Sequence, residues 1–401
     1  MKKTIISVFL ISLVGYYGYS QNEPSKNSQN SYELLLEEIE SNNNQIKSLK
    51  KMADAEKLQN KIGLFPSNPE IGFNYLWGAP TNLGNRKDFS IVQTFDFPTS
   101  YTYKSRNSEL LNQQVDLNYR REYLSIINQV RMWFIDIVHL NSSIAEMNRR
   151  LAHAQAIADA YNSRFKSGDA NILEYNKAQS SLLNIVKKLE SYQSDRTTLL
   201  SNLIALNGGK QLVIPDTVYV SPIALTDFEQ WLKSTSDNNP ELLSIRKESE
   251  ISSNQASLNS AMSLPKLSVG YMSEDVAIEK FSGITLGITI PLWENKNTVK
   301  AARARSIAFE SLLEDKALLY NLKMRSRYDR AVRLNNSADE FRAQLKQFSN
   351  SGLLKKALDS GEISLIEYMV ELSLYYDNVD QLLQLQYEAN KATAELLNYE
   401  L

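Results

Sequence analysis

Four segments of the chain alternate apolar and polar residues with a period of two. They are predicted to be strands at about 68–77, 89–98, 264–273 and 281–292. Side chains of a strand point alternately to its two faces, so each strand has one apolar face and one small or polar face. Their lengths are close to the 9–11 residues of a strand that crosses a bilayer. The apolar faces, predicted to face lipid, comprise Ile71, Phe73, Tyr75, Ile91, Phe95, Phe97, Leu267, Val269, Tyr271, Ile284, Leu286, Ile288 and Ile290.

Long segments without this alternation separate the strand pairs. Helices are predicted at about 100–165, 171–207, 294–358 and 364–400. The first has apolar residues every seven positions, which is typical of a coiled-coil seam. One register of this seam is Val130, Ile137, Ile144, Leu151 and Ala158, and the other is Trp133, Leu140, Met147, Ala154 and Tyr161. Since residues 100–165 contain neither Gly nor Pro, they can form one helix about 100 Å long, which indicates a rod.

A ten-residue motif occurs twice, as KSGDANILEY at 166–175 and as DSGEISLIEY at 359–368. The strand pairs are related by nearly the same offset, with one length change of three residues between them. The chain is therefore predicted to contain two structural repeats, 32–208 and 236–401, joined by the segment 209–235. Each repeat has the order helix, strand pair, long helix, turn and long helix.

Each copy of the motif predicts a tight turn between two helices. Gly168 and Gly361 stand where the preceding helix must end, and glycine adopts the left-handed conformation of such ends. A capping box follows each glycine, in which a short polar side chain and a glutamate three residues later satisfy free amides. The pairs are Asn171 with Glu174 and Ser364 with Glu367. The capping-box spacing accounts for the presence of Glu174 and Glu367, so neither residue requires a catalytic role.

The strands of one chain cannot close a barrel. Open sheet edges are excluded in lipid, so strands from several chains would have to combine. Two chains would supply eight strands, whose side chains fill the interior, and three would supply twelve, which can leave a channel. We therefore expect several chains to share one barrel in contact with lipid, and a homotrimer is favoured.

The N-terminal residues 1–20 are predicted to be a secretory signal. Lys2 and Lys3 precede an apolar run at 5–14, and small residues at 18–20 form the cleavage site. Residues 21–31 are predicted to be a flexible N-terminal segment. Because the sequence contains no Cys, we expect the protein to have no disulfide bond and no lipid-anchored cysteine.

Composition and motifs argue against an enzyme. The net charge of −2 gives no electrostatic footprint for nucleic acid. The two histidines, His139 and His153, lie fourteen residues apart on one predicted helix, too distant to share a metal ion. The chain has no nucleophile motif and no complete phosphate-binding loop. We expect no catalytic residues, cofactor or metal.

The order and twofold spacing of these features resemble those of the TolC-type outer-membrane efflux protein family. The marks are the prolines that flank the strands, RFKSGD at 164–169 and LNG at 206–208. The resemblance covers essentially the whole mature chain. It implies a mainly α fold with membrane β structure, in which a trimeric twelve-stranded β-barrel is continuous with a long α-helical barrel.

The resemblance also implies a function and a location. The chain would be the passive duct of a tripartite efflux pump, in the outer membrane of a Gram-negative bacterium with its helices in the periplasm. Its partners would be a periplasmic adaptor protein and an inner-membrane transporter. A secreted or periplasmic coiled-coil scaffold without channel activity is the alternative.

In the resembling family, the two helix turns form the periplasmic aperture and the adaptor contact. The corresponding residues here are Arg164, Lys166, Ser167, Gly168, Asp169, Asp359, Ser360, Gly361 and Glu362. In a trimer, Asp359 and Glu362 would form a ring of six carboxylates that favours cations, closed by Arg164 or Lys166. These acids could instead only stabilise the start of the following helix.

The sequence departs from the family pattern at the second turn. Ala357 and Leu358 stand where the first turn has Arg164 and Phe165. The segment between the repeats, 209–235, is the candidate for the equatorial belt of the family.

Overall fold

The computed structural model describes residues 26–80, 84–219, 227–276, 278–347 and 351–397. Its strands are β1 Glu70–Leu76, β2 Arg86–Phe95, β3 Lys266–Val276 and β4 Glu279–Thr289. Its helices are α1 Lys26–Asn42, α2 Asn44–Gln59, α3 Pro98–Ser167, α4 Ile172–Leu206, α5 Phe228–Asn238, α6 Pro240–Met262, α7 Thr298–Gln347, α8 Ser351–Asp359 and α9 Leu365–Leu396. The predicted signal segment lies outside the described residues, as do 220–226 of the segment between the repeats.

Helix α3 is the longest element and connects the sheet to the first turn. It has 70 residues and is therefore about 105 Å long. Pro98 occupies its first turn, where a missing N–H costs no hydrogen bond. The predicted seam is largely buried: Val130, Ile137 and Ala158 are at most 1 % exposed. The heptad pattern thus identified the face of α3 that packs against its neighbours.

Two helix starts in the structure differ from the approximate positions expected from the sequence. Helix α1 begins at Lys26, so residues 26–31 of the segment predicted to be flexible are helical, and the helix is held by Ile39, which is buried against α3. The helix predicted from residue 294 begins only at Thr298. A turn precedes it, in which Asn297 has a φ of 67° and the Asn295 side chain donates to the Met262 carbonyl at 2.7 Å.

The strands form one antiparallel sheet in the order β1-β2-β3-β4. In the described structure β1 and β4 are its edges, so the sheet is open and not a closed barrel. The register aligns the predicted apolar residues across the strands. Ile71 is paired with Ile91, Ile91 with Tyr271, and Tyr271 with Ile284. These four residues therefore form a row across one face.

Phe97 and Ile290 were predicted to be strand residues on this face, and both lie outside the strands. Strand β2 ends at Phe95 because Pro98 begins α3, and Phe97 is the half-buried N-cap of that helix. Strand β4 ends at Thr289, since Pro291 has no N–H to continue the ladder. Ile290 remains exposed next to the strand.

Helix α3 lies at the centre of the helical layer. Near the sheet it packs against α2 and α6, and α7 packs on the far side of α6. Farther from the sheet it packs against α4 and α9, and α9 contacts α7 and α8. None of the described helices combines the length and hydropathy required to cross a bilayer.

The largest core surrounds the middle of α3, where Val130 and Ile137 share one apolar cluster with Leu203 of α4. The chain after α4 contributes Ile214 to this core. The Asn141 side chain donates to the carbonyl groups of Ile214 and Asp216 at 2.9 and 2.8 Å, which fixes that segment along α3. The segment between the repeats is thus attached to the middle of the first repeat.

Candidate functional site

The first predicted turn has the expected geometry. Gly168 ends α3 with a φ of 84°, and the amides of Gly168 and Asp169 donate to the carbonyls of Phe165 and Arg164. This pair of hydrogen bonds is the Schellman motif, which satisfies carbonyl groups at a helix end. Asn171 and Glu174 then form a complete capping box at the start of α4.

The second turn repeats this geometry 193 residues later. Gly361 has a φ of 74°, and the amides of Gly361 and Glu362 donate to the carbonyls of Leu358 and Ala357. Ser364 and Glu367 form the capping box of α9. The backbone amide of Ser364 lowers the pKa of the Glu367 carboxyl below its ordinary value, because it stabilises the charged form. Both turn predictions are confirmed.

The two turns lie at the same end of the molecule. Tyr161 of α3 and Ala178 of α4 share one apolar cluster with Leu365 and Tyr368 of α9. Burial, with a further contribution from the negative charge of Asp359, raises the pKa of Tyr368 to about 12. Tyr368 is therefore neutral at physiological pH and contributes apolar packing and a hydroxyl group.

Within the described part of one chain, the charged side chains of the first turn do not pair with those of the second. The Arg164 guanidinium lies over the Tyr161 ring, 5.2 Å from its centroid. The Ser167 hydroxyl donates to the Asp169 carboxylate at 2.6 Å. In the described part of the chain, no salt bridge joins Arg164 or Lys166 to Asp359 or Glu362. A ring of acids closed by bases stays a hypothesis about an assembly of several chains.

A buried ion-pair network, which the sequence analysis did not predict, joins three helices above the turns. Arg150 of α3 contacts Glu146 at 2.9 Å and Asp380 of α9 at 2.6 Å. Asp380 also pairs with Lys188 of α4 at 2.7 Å. The Arg150 and Glu146 side chains are only 6 % and 7 % exposed, and the guanidinium packs on the Tyr376 ring. This network links the α3–α4 hairpin to the second repeat.

His153 lies next to this network and has two tyrosine partners. Its Nε2 atom is 2.9 Å from the Tyr368 hydroxyl and its Nδ1 atom is 3.1 Å from the Tyr376 hydroxyl. Burial, and then the positive charge of Lys355, lowers its pKa below the ordinary value. Both ring nitrogens are thus engaged by hydroxyl groups. Among the described residues, no group of His, Cys, Asp and Glu has the arrangement of a metal site.

The apolar face of the sheet is the second candidate surface. Next to the row of Ile71, Ile91, Tyr271 and Ile284, Val269 pairs with Leu286. Another row joins Phe95, Leu267 and Ile288. Most of these side chains are exposed in the single chain, with Ile284 at 79 % and Leu286 at 78 %. Contiguous exposed apolar surface of this kind is typical of contact with lipid or another protein.

Comparison with known proteins gives the fold. No protein-family model and no curated protein sequence matches the chain. Solved structures do match it. The chain is similar to CusC, whose crystal structures concern folding and transmembrane channel formation. The TM-score is 0.76 at 14 % sequence identity, and the match covers 92 % of this chain and 91 % of CusC.

Two other structures give similar values. The Campylobacter jejuni CmeC outer membrane channel has a TM-score of 0.72 and 14 % identity, and the match covers 100 % of this chain and 93 % of CmeC. The Vibrio cholerae outer membrane protein VceC has a TM-score of 0.73 and 12 % identity, with coverage of 94 % and 98 %. The chain has the fold of these channels.

This channel fold confirms the resemblance drawn from the sequence, at the level of structure. The match extends over both repeats, so the sheet and the two turns belong to one shared architecture. At a sequence identity of 11–14 %, the function of an individual side chain in those proteins cannot be assigned to the corresponding residue of this chain. The roles of the turn residues and of the apolar face are therefore proposals that must be argued from this chain.

Conformation, not space, determines the requirement for glycine at the first turn. A Cβ atom at Gly168 would meet nothing within 4 Å, but the φ of 84° is unfavourable for any other residue. We expect Gly168→Ala to lower the free energy of unfolding by about 1–2 kcal/mol. Denaturant unfolding followed by helical circular dichroism measures this change.

Gly352, in helix α8, is the matched control for this substitution. A Cβ there also meets nothing within 4 Å, and its φ is helical. Gly352→Ala should therefore stabilise the protein by up to about 1 kcal/mol. Equal effects of the two substitutions would contradict the assigned turn geometry.

Proposed function

We propose that this chain forms the passive duct of a tripartite efflux pump in the outer membrane of a Gram-negative bacterium. One observation carries the proposal: an open four-stranded sheet with an exposed apolar face stands at the end of a helical layer whose longest helix, α3, is about 105 Å long. The sheet suits a bilayer, and the helices suit the aqueous space beneath it. The duct would have no enzymatic activity.

The free edges of the sheet support a homotrimer. A strand edge in lipid would leave amide and carbonyl groups without partners, so β1 of one chain must meet β4 of the next. Three chains supply twelve strands, which is enough to leave a channel rather than a filled interior. The helical layer supports the same arrangement, because α2 and α7 are its outermost helices near the sheet.

The partners would be a periplasmic adaptor protein and an inner-membrane transporter. They would meet the duct at the end that carries both turns, farthest from the sheet. Substrate would then pass through the helical tunnel and leave through the barrel. The support for these partners is the resemblance, together with the two equivalent turns at one end of the chain.

Extraction and conductance distinguish the duct from a coiled-coil scaffold. We expect the protein to remain with outer membranes until detergent is added, to have the native mass of a trimer, and to conduct ions in planar bilayers. A scaffold would leave the envelope without detergent and would not conduct. A stable monomer that retains its sheet would contradict the proposed barrel.

The acids of the second turn can be tested in the same bilayers. In the proposed trimer, Asp359 and Glu362 repeat around the channel axis. Asp359→Asn combined with Glu362→Gln should reduce cation preference while leaving the unfolding transition nearly unchanged, since neither acid forms a salt bridge among the described residues. Ion selectivity measured from reversal potentials gives the result.

Glu190→Gln is the control for these acids, because Glu190 is an exposed helix acid that pairs only with Lys187 in the described structure. It removes a negative charge away from the turns and should leave selectivity unchanged. Unaltered selectivity in the Asp359 and Glu362 variant would show that these acids stabilise only the local helix start.

A further inference from the structure

The outermost row of the apolar sheet face is basic. Tyr75 is paired with Lys87, Lys87 with Asp275, and Asp275 with Lys280. Each of these residues lies four positions beyond a member of the row Ile71, Ile91, Tyr271 and Ile284. Since strand side chains alternate with a period of two, both rows are on the same face. Two lysines thus lie at the end of the sheet farthest from the helices.

These two lysines outnumber the single acid of their row, Asp275. Both are exposed, and in the described part of the chain neither forms a salt bridge, even with Asp275 between them. The Lys87 ammonium group lies 5.9 Å from the centre of the Tyr75 ring. Asp275 lowers the net charge of the row to +1 per chain, so attraction of an anion would depend on both lysines.

Arg86, the neighbour of Lys87 on the opposite face, provides a contrast. Its guanidinium contacts Asp88 at 2.8 Å and Glu274 at 2.7 Å. The basic residue of the polar face is therefore satisfied within the sheet. Lys87 and Lys280 instead have ammonium groups available to a partner outside the chain.

The height of this row agrees with the edge of a bilayer. Lys87 lies eight residues from Phe95, which corresponds to about 27 Å along the strand and about 20 Å of height at the usual tilt of barrel strands. The exposed Ile290 and Leu292, which follow β4, extend the apolar surface at the helix end of the sheet. Since the apolar band of such barrels is about 25 Å tall, the lysines would lie at the level of the lipid headgroups.

Both ends of the apolar surface have an exposed indole ring, a side chain common at membrane interfaces: Trp293 at the helix end and Trp77 at the opposite end. On the apolar face, Lys87 and Lys280 lie at the Trp77 end. The outer leaflet of an outer membrane consists of phosphorylated glycolipid, so its anionic groups would be at the lysine end.

We propose that Lys87 and Lys280 bind the phosphate groups of lipid A in the outer leaflet. This inference rests on the proposed membrane-spanning role of the sheet. It adds a specific lipid ligand and the residues that recognise it. Basic side chains at a membrane surface each strengthen binding to anionic lipid, and the tyrosine beside Lys87 supplies an amphipathic side chain at the same level.

The test uses the full assembled protein in detergent, mixed with diphosphoryl lipid A and measured by native mass spectrometry. The variant combines Lys87→Gln and Lys280→Gln. Its affinity for diphosphoryl lipid A should fall about tenfold or more. The unaltered protein should also bind monophosphoryl lipid A several-fold more weakly than the diphosphoryl form.

Lys266→Gln combined with Lys296→Gln is the matched control, since it removes the same charge at the helix end of the hairpin. It should retain lipid A binding.

Two further variants are compared if the double variant Lys87→Gln with Lys280→Gln does not assemble. Lys280→Gln alone should bind lipid A more weakly than the unaltered protein. The charge-conserving variant Lys87→Arg with Lys280→Arg should bind it with unchanged affinity. Equal lipid A affinity in all assembled variants would overturn the inference. Because these variants are compared as assembled trimers, that result would leave the proposed duct intact, whereas failure of the unaltered protein to insert in membranes would refute both.

Discussion

Replacing Arg150 by alanine should lower the free energy of unfolding by about 3 kcal/mol. The substitution leaves the buried Glu146 carboxylate without its main partner and removes one of the two bases that contact Asp380. Breaking a buried ion pair costs about 3–5 kcal/mol, and the remaining contacts from Arg149 and Lys188 place the expected value at the lower end. Denaturant unfolding followed by circular dichroism measures it.

An exposed pair on a neighbouring helix serves as the control. Lys187 and Glu190 of α4 are 2.8 Å apart, but both side chains are more than half exposed. Lys187→Ala should change the unfolding free energy by less than about 1 kcal/mol. A loss of similar size from both substitutions would show that burial of the Arg150 network contributes nothing.

The same network predicts a dependence on pH. Burial raises the pKa of Asp380, but hydrogen bonds and charges from Arg150 and Lys188 outweigh burial, and its pKa lies below the ordinary value. A lowered carboxyl pKa stabilises the folded state above the pKa of the unfolded chain, and this stabilisation is lost as pH falls through the folded pKa. The difference in stability between the protein and Arg150→Ala should therefore shrink in acid, below about pH 4.

Arginine in place of Ile284 should prevent stable assembly in the membrane. Ile284 lies in the middle row of the apolar face and is 79 % exposed in the single chain. Arginine on the lipid face of a barrel costs about 2–4 kcal/mol near the midplane. The fraction of trimer in extracted outer membranes, resolved by native electrophoresis, gives the effect.

Thr285, the next residue of the same strand, is on the opposite face and provides the control. Thr285→Arg should assemble nearly as well as the unaltered protein, because that face would line the channel. If the two arginines reduce the trimer equally, the sheet does not have one lipid face and one channel face.

Features set by local sequence could be predicted well. Alternation of apolar and polar residues identified the four strands of the described structure, because the side-chain period of a strand is a property of the backbone. The turns at Gly168 and Gly361 were found for a similar reason, since a glycine and a capping box act within a few residues. The late start of α7 was missed, because the turn before it includes a hydrogen bond from the Asn295 side chain to Met262 of another helix.

Interactions between distant segments could not be predicted in this way. Arg150, Lys188 and Asp380 lie in three helices, and no local pattern shows that they meet. The same is true of His153, whose position on α3 suggested only that a metal site was improbable. Its tyrosine partners are more than 200 residues away along the chain.

The length of the unbroken helix α3 sets the distance between the sheet and the first turn. Each added heptad would lengthen it by about 10.5 Å while keeping its apolar seam in phase. Because α3 packs against α4 and α9 as well as α2 and α6, a heptad added to one helix would displace its contacts with the others. The distance between the sheet and the turns can therefore change only in steps of about one heptad, made in both repeats together.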